Sequence, residues 1–303
     1  MRRRKRPPQL SLPLTTRLEA DVRVLVVPNT ANAAAVSSSV ELVTWLSAQG
    51  YEPVLSRDDA QSAGLADFGV PPTEIGEPTL VVALGGDGTI IKAVHVLGEA
   101  EVPILGVNLG RLGFLSGAAG EDMRRAVETA LAGEARVERR ATIQIELAMD
   151  GRSVGTYRAL NEVFLGRGAS GRVIAVELSV NGRSLIRYGG DGIVVATPTG
   201  STAYALSAGG PIVSPGIRGL LVVPVAPHTI AVRPLVVESG DVIEMTLPDP
   251  GRSDACLVVD GDMAPCRNRI ERVTVTQGEH DVLLVKLGGR DFYDVVAEEF
   301  FRC

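Results

Sequence analysis

Leu80-Val81-Val82-Ala83-Leu84-Gly85-Gly86-Asp87-Gly88-Thr89 decides how the first part of this chain folds. A short β-branched run ending in three glycines around one Asp reads as a buried strand entering a tight loop. Ile90, Ile91, Ala93, Val94 and Leu97 follow at helical apolar spacing. The segment is therefore strand, glycine loop and helix. Glycines let a backbone come within hydrogen-bond distance of a ligand, and a helix N-terminus favours anions. A carboxylate in the middle of an anion site is costly unless a cation or a transferable proton accompanies it. Phosphoryl transfer from a magnesium nucleotide is the simplest such case. The alternative for Asp87 is a turn or capping residue. Its place among glycines at a strand end favours a site, because open α/β sheets bind ligands at strand ends.

Outward from this loop, strands and helices alternate. Strands are expected over 22–27, 79–84 and 102–107, and helices over 34–48, 89–97 and 122–131, which is α/β patterning with a parallel sheet. After about Arg140 the pattern changes. Ile143-Gln144-Ile145-Glu146-Leu147 alternates and runs into an Asp150-Gly151 turn. The apolar run 173–180 ends at Asn181-Gly182, a hairpin signal. Further strands are expected over 219–225, 230–237, 242–247, 256–259 and 273–276, with closely spaced turns, as in an all-β sandwich-like domain. The domains expected are a disordered basic tail (1–20), an α/β nucleotide-binding domain (21–138), a β-sandwich domain (139–281), and a C-terminal segment (282–303) packing back on the first domain.

The chain has 303 residues, 45% of them hydrophobic and 22% charged, with a net charge of −6. That is ordinary for a soluble globular protein and argues against a nucleic-acid-binding surface. Lysine occurs only at Lys5, Lys92 and Lys286; the other basic residues are Arg. Cys256, Cys266 and Cys303 lack metal-ligand spacing and are few for a disulfide scaffold, so reduced thiols in a cytoplasmic protein are expected. The opening basic run has no apolar stretch behind it, and no apolar run reaches transmembrane length.

Three further stretches attract notice. Gly190-Asp191-Gly192 through Thr197-Pro198-Thr199-Gly200-Ser201-Thr202-Ala203-Tyr204 joins a strand to a Pro turn and hydroxyls around a glycine. Hydroxyls and exposed amides bind ribose and phosphate oxygens without charge; the alternative is a Thr/Ser turn capping a helix over 203–208. Gly106-Val107-Asn108-Leu109-Gly110-Arg111-Leu112-Gly113-Phe114 ends another apolar strand, and its glycines admit a flat ligand with Phe114 as a wall. Placing Phe114 in the core explains the same residues. In Ala159-Leu160-Asn161-Glu162-Val163-Phe164-Leu165, two polar residues interrupt an apolar run. Buried, they need partners, and an amide with a carboxylate suits an adenine edge or a ribose diol; the alternative is an exposed strand face.

Absences narrow the chemistry. No Gly-Lys pair occurs, so there is no Walker A loop. Pro28-Asn29-Thr30 follows the first strand in place of Gly-x-Gly-x-x-Gly, against a standard Rossmann dehydrogenase. No Gly-x-Ser-x-Gly elbow and no zinc spacing support a hydrolase. His95, His228 and His280 are scattered, as structural or exposed histidines are. Phosphate charge is left to magnesium and backbone amides.

Together these segments resemble the NAD kinase family, bacterial type. The matching stretches are 85–89, 106–115, 161–163, 191–204, 207–211, 227–229 with 233–235, and Asp260-Gly261, in family order. The Gly-Gly-Asp-Gly loop alone is shared with diacylglycerol and sphingosine kinases and resembles that of phosphofructokinases. The Thr-Pro-Thr-Gly-Ser-Thr-Ala-Tyr stretch joined to Asn-Glu is far more specific. The resemblance implies an active site between the two domains and transfer of the ATP γ-phosphate to the 2′-hydroxyl of the adenosine ribose of NAD, giving NADP. It implies Asp87 as the catalytic residue and a contact for Mg2+ or another divalent cation, with Gly86, Gly88 and Thr89 in the nucleotide loop. It implies Asn161 and Glu162 at the NAD ribose and adenine, and Thr199, Thr202, Ala203, Tyr204 and Ser207 along the NAD pocket. Asp191 is implied near the nicotinamide, often across a subunit interface. Phe114 borders the dinucleotide in the same pattern, Ala226 lines the pocket, and Arg172 matches a basic ligand-binding position.

Two departures touch that pocket. Gly189 stands where the family often has a basic residue, with Arg187 as its nearest substitute, and Asp262 stands where Gln is common. Both bear on NAD against NADH. The donor implied is ATP, with polyphosphate as the alternative, and the assembly a homodimer or homotetramer without nucleic acid or membrane. Two other classes fit part of the pattern: a regulatory module that binds NAD without consuming ATP, and a lipid kinase sharing the glycine loop. The hydroxyl-rich motif fits a dinucleotide pocket better than a lipid cleft.

Overall fold

Why the glycine loop leads somewhere becomes clear from the order of strands around it. The computed structural model describes residues 22–110, 113–229, 231–250, 254–265, 270–288 and 290–301. The expected tail over 1–20, together with Arg111, Leu112, Ile230, Cys266 and Cys303, lies outside the described residues. The chain divides into two units, one running up to Arg139 and resuming at Val282, the other spanning Arg140–Asp281.

The first unit opens with β1 (Arg23–Pro28), α1 (Ala33–Ala48), β2 (Glu52–Ser56), α2 (Arg57–Ser62) and β3 (Gly69–Val70). It continues with β4 (Leu80–Leu84), α3 (Asp87–Leu97), β5 (Pro103–Asn108), β6 (Ala118–Ala119), α4 (Met123–Leu131) and β7 (Arg136–Arg140). The Asn32 side chain starts α1 by accepting from the N–H groups of Ala34 and Ala35, as an N-cap does. Strand β4 is buried along its whole length, which is why it reads as a continuous apolar run.

The second unit contains β8 (Ile143–Met149), β9 (Arg152–Ala159), β10 (Glu162–Arg167), β11 (Ile174–Val180), β12 (Arg183–Gly190) and β13 (Gly192–Ala196). After these come α5 (Tyr204–Ser207), β14 (Leu220–Val225), β15 (Leu235–Val237), β16 (Ile243–Thr246), β17 (Ala255–Val259), β18 (Asp262–Met263) and β19 (Ile270–Gln277). Two antiparallel sheets result, ordered β15-β14-β13-β10-β17-β18 and β12-β11-β16-β19-β8-β9. Ile143, Ile145 and Leu147 from one sheet share a core with Val163, Leu165, Ile193 and Val195 from the other. The intervening residues Val194 and Ala196 pack on the opposite face with Ala205 of α5. Strand β13 is thus buried on both faces, while β8 alternates buried and exposed residues with one face in the core. The Asn181-Gly182 turn joins β11 to β12, with φ of 51° and 72° at its two residues. Of the strand expected over 230–237, the described residues 231–237 form only β15. Pro234, directly before it, has no N–H to give to a ladder.

The chain then returns to the first unit as β20 (Val282–Lys286) and α6 (Phe292–Val296). Strand β20 adds in parallel beside β5. The completed sheet runs β3-β2-β1-β4-β5-β20-β7, with β6 beside β5, and every pairing from β3 to β20 is parallel. Going along the chain, the strands step one way from β1 to β3 and the other way from β4 onward. The reversal falls between β1 and β4. In open parallel sheets the carboxyl ends of the strands at such a reversal border the ligand crevice. The residues just past those ends are Asn29 after β1, whose N–H donates to the Leu84 carbonyl at 2.9 Å, and Gly85-Gly86-Asp87 after β4.

Candidate active site

The first cluster is built around Asp87, the first residue of α3. Its carboxylate faces the loop that follows β5. Oδ2 accepts the N–H of Phe114 at 2.9 Å, and Oδ1 accepts the N–H of Leu115 at 3.2 Å and the Ser116 hydroxyl at 3.4 Å. Asn108 ties the same loop, donating through Nδ2 to Ser116 Oγ at 3.4 Å and accepting the Gly110 N–H at 2.8 Å. Gly113 is what allows so close an approach: a Cβ there would sit 2.3 Å from Asp87 Oδ1. Gly86 and Gly88 are exposed, Asp87 is half-buried and Thr89 is buried. Among the described residues no side chain caps α3, so the N–H groups of Asp87 and Gly88 are the donors an anion would use, that of Thr89 going to the Gly86 carbonyl at 2.9 Å. Phe114 stacks on Phe300, centroids 6.2 Å apart, and tilts against Phe292 at 5.9 Å.

Among the described residues no three His, Cys, Asp or Glu side chains gather as a metal cage. Magnesium is commonly held by one or two carboxylates together with substrate phosphates, which one carboxylate beside an anion-binding helix end fits. An ionised carboxylate offers about four lone-pair sites. Three donors reach Asp87, so its remaining capacity suits a cation or a substrate hydroxyl.

The second cluster lies in the sandwich unit, around the corner between β9 and β10. Asp260 and Gly261 form the two-residue turn between β17 and β18, with φ of 48° and 90°. That turn aims the Asp260 carboxylate at the corner, where it accepts N–H groups from Leu160 at 2.7 Å, Asn161 at 2.7 Å and Glu162 at 3.0 Å. The corner's carbonyls are engaged from the other side. Thr197 donates its hydroxyl to the Leu160 carbonyl at 2.6 Å and its N–H to the Asn161 carbonyl at 2.8 Å. Gly200 fits against this backbone only because it lacks a side chain; a Cβ would lie 2.1 Å from the Asn161 carbonyl oxygen.

Glu162 is buried, 8% exposed, and its Oε2 has no hydrogen-bond partner among the described residues. Burial first, and the Asp260 carboxylate second, push its carboxyl up to about 8, against a smaller downward pull from a backbone hydrogen bond of Tyr204. At neutral pH this side chain holds a proton and can donate as well as accept. Tyr204, 40% exposed, meets Phe164 edge-on at 5.3 Å.

The hydroxyls of the Thr/Ser stretch divide by task, and none caps α5. Thr197 also accepts the Gly200 N–H at 3.0 Å. Ser201, fully buried, has one O–H to donate, with the Pro198 carbonyl at 2.7 Å and the Val213 carbonyl at 3.1 Å as its acceptors, and it accepts the Val213 N–H. Thr202 donates to the Thr199 carbonyl at 3.3 Å. Thr199 is buried, Ala203 and Thr202 half-buried, and Ser207 exposed.

The remaining residues singled out from the sequence are spread more widely over this unit. Asp191 pairs with Arg167 at 3.3 Å. Arg172 is exposed beside Asp254, whose carboxyl is held low chiefly by hydrogen bonds from Ser170. Ala226 is exposed with φ of 42°, an uncommon conformation for a residue with a side chain. Asp262 is exposed at the start of β18, and Arg187 is exposed on β12. Sequence reasoning missed Ser116 and the anchoring roles of Asp260 and Thr197. An Asp-Gly turn shortly after an apolar strand was the one available signal for Asp260.

Comparison with known proteins agrees across both units. The family described as the ATP-NAD kinase N-terminal domain matches residues 24–135, and that described as the ATP-NAD kinase C-terminal domain matches residues 160–287. An NAD kinase of Geobacter sulfurreducens is 36% identical over 84% of this chain and 90% of its own length. One of Acidobacterium capsulatum is 36% identical over 90% of this chain and 96% of its own. Among solved structures, yeast NADH kinase complexed with NADH superposes with a TM-score of 0.84 at 26% identity, covering 93% of this chain and 88% of that one. An Archaeoglobus fulgidus NAD kinase in complex with ATP gives 0.68 at 28% identity, covering 87% and 93%.

Proposed function

Because this chain belongs to the NAD kinase family, we propose that it transfers the γ-phosphate of ATP to the 2′-hydroxyl of the adenosine ribose of NAD, giving NADP. The observation that carries this reading is the Asp87 carboxylate, fixed by two loop N–H groups at the start of an uncapped helix.

Carboxylic acids are far stronger acids than sugar hydroxyls, so early removal of the hydroxyl proton by Asp87 is disfavoured. In a loose phosphoryl-transfer transition state the nucleophile needs orientation, and its proton can leave late. Asp87 orients the 2′-hydroxyl and accepts that proton late in the transfer. Gly86 and Gly88 supply backbone at the helix end for phosphate, and Thr89, whose N–H bonds the Gly86 carbonyl, holds that turn in shape. Magnesium is the ion we infer, with Asp87 the residue that would hold it; when bound, it neutralises charge on the transferred group.

In the sandwich unit, Asn161 and Glu162 take the ribose and adenine region, and Thr199, Thr202, Ala203, Tyr204 and Ser207 line the dinucleotide site. Phe114, Arg172, Asp191, Ala226 and Asp262 make the outer contacts. The unpartnered Oε2 of buried Glu162 supports this assignment, since a buried carboxyl oxygen gains most from a ligand donor. We further infer a homo-oligomer in the cytoplasm, with polyphosphate as an alternative donor. Leu185, exposed on edge strand β12, is an apolar group that a second copy would cover.

The test is to incubate purified protein with NAD, ATP and magnesium and to detect NADP with an NADP-specific dehydrogenase. Asp87→Asn should lose most turnover and keep near-normal NAD affinity. NAD binding with no NADP from ATP or polyphosphate would sink the kinase assignment in favour of a binding module.

A further inference from the structure

We propose that Lys286 is a positioning residue for the transfer: by holding the Phe114–Ser116 carbonyls, its ammonium turns the Leu115 N–H onto Asp87 and fixes the loop that presents the Phe114 N–H beside it. The proposal rests on the kinase reading of Asp87.

Lys286 is the last residue of β20, and its Nζ donates to three successive carbonyls: Phe114 at 3.3 Å, Leu115 at 2.9 Å and Ser116 at 2.8 Å. A planar trans peptide points its C=O and N–H in opposite directions. The peptide between Phe114 and Leu115 therefore lies with its oxygen on the ammonium and its N–H on Asp87 Oδ1, at 3.2 Å. The ammonium and the carboxylate sit at the two ends of one peptide dipole, each strengthening the other's hydrogen bond. A flip of this peptide would break both contacts.

The strand end itself is docked to the same loop. Leu287 donates its N–H to the Gly117 carbonyl at 3.2 Å, and a Cβ on Gly117 would lie 2.1 Å from the Val285 carbonyl oxygen. The residue type is informative as well. Only three of the chain's 30 basic residues are Lys. An ammonium has three donors that rotate to converge on neighbouring carbonyls, whereas the rigid fork of Arg suits flat bidentate acceptors. At this position the chain, which otherwise mostly uses Arg, has the residue whose geometry three converging carbonyls need.

Three variants test this: Lys286→Met, Lys286→Gln and Lys286→Arg, each with kcat and KM for NAD, a thermal midpoint, and hydrogen exchange at the Phe114 and Leu115 amides. In folded Lys286→Met, kcat should fall about tenfold or more, with KM for NAD within about twofold, as for an interaction made chiefly in the transition state. The two loop amides should exchange faster, and Lys286→Arg should recover part of both effects. Should Lys286→Met fail to fold, Lys286→Gln, which keeps two donors without the charge, is held to the same criteria. Unchanged kcat, a loss matched by a rise in KM, or unchanged exchange at the two amides would overturn the proposal. NADP formation by the wild-type protein tests the kinase reading separately. If the wild type makes none, that reading fails, and the amide exchange still decides whether Lys286 holds the loop.

Discussion

The N–H of Asn161 donates to the Asp260 carboxylate at 2.7 Å, and the neighbouring N–H groups of Leu160 and Glu162 share the same acceptor. One carboxylate thus satisfies three consecutive backbone donors at the corner that carries Asn161 and Glu162. Asp260→Asn replaces an anion that only accepts with an amide whose NH2 faces those donors. The variant should lose about 2–4 kcal/mol of stability, the scale of charge-assisted hydrogen bonds to buried groups. KM for NAD should rise as the corner loosens. Urea unfolding and steady-state kinetics check both, and an unchanged midpoint would contradict the anchoring role.

Burial of Glu162, with the Asp260 carboxylate as the second cause, makes stability depend on pH. The folded protein keeps the Glu162 proton up to about pH 8, whereas an ordinary Glu loses it near 4.5. Between these values the native state binds more protons than the unfolded state, so stability falls as pH rises. The contribution is fully present below 4.5 and is lost as pH passes through 8. Ligand-free protein should therefore show unfolding midpoints declining between pH 6 and 9. Glu162→Gln should flatten that decline and be relatively more stable at the alkaline end. Parallel curves for the two proteins would count against a protonated Glu162.

Gly113→Ala separates placement of Asp87 from folding. The added methyl would meet the end of a side chain, the Asp87 carboxylate at 2.3 Å, so the carboxylate can swing away and the backbone can stay. Turnover should drop about tenfold or more, because small misplacements of a catalytic group are costly. The thermal midpoint should move by only a few degrees. A large fall in that midpoint with kcat preserved would show that Gly113 serves packing.

Much of the architecture was legible because it is written locally. Strand β4, its glycines and α3 follow from apolar period and turn chemistry within one short stretch. Strands β9 and β12 are harder to see. They are mostly exposed, polar edge strands, and only the turns Asp150-Gly151 and Asn181-Gly182 announce them. In the site, Asp87 stood out by its neighbours, and Asn161-Glu162 by breaking an apolar run. The roles of Asp260, Thr197 and Lys286 depend on which distant backbone each one meets, and no local pattern encodes that. The Thr/Ser stretch shows the same limit: Thr197, Ser201 and Thr202 look alike in sequence, yet Thr197 holds the distant Leu160 carbonyl, while Ser201 and Thr202 bond carbonyls of their own loop.

Strand β20 also governs when this protein becomes complete during synthesis. The first unit's sheet has its β5 edge filled only when Leu283 and Leu284 reach Pro103 and Ile104, after the whole second unit has left the ribosome. Such distant pairings are slow to form, because a long loop must close before any contact rewards it. Lys286 arrives on that same strand and completes the backing of the Asp87 loop. A nascent or prematurely ended chain would carry the glycine motif without its support, so phosphoryl transfer would begin only after the last strand is home.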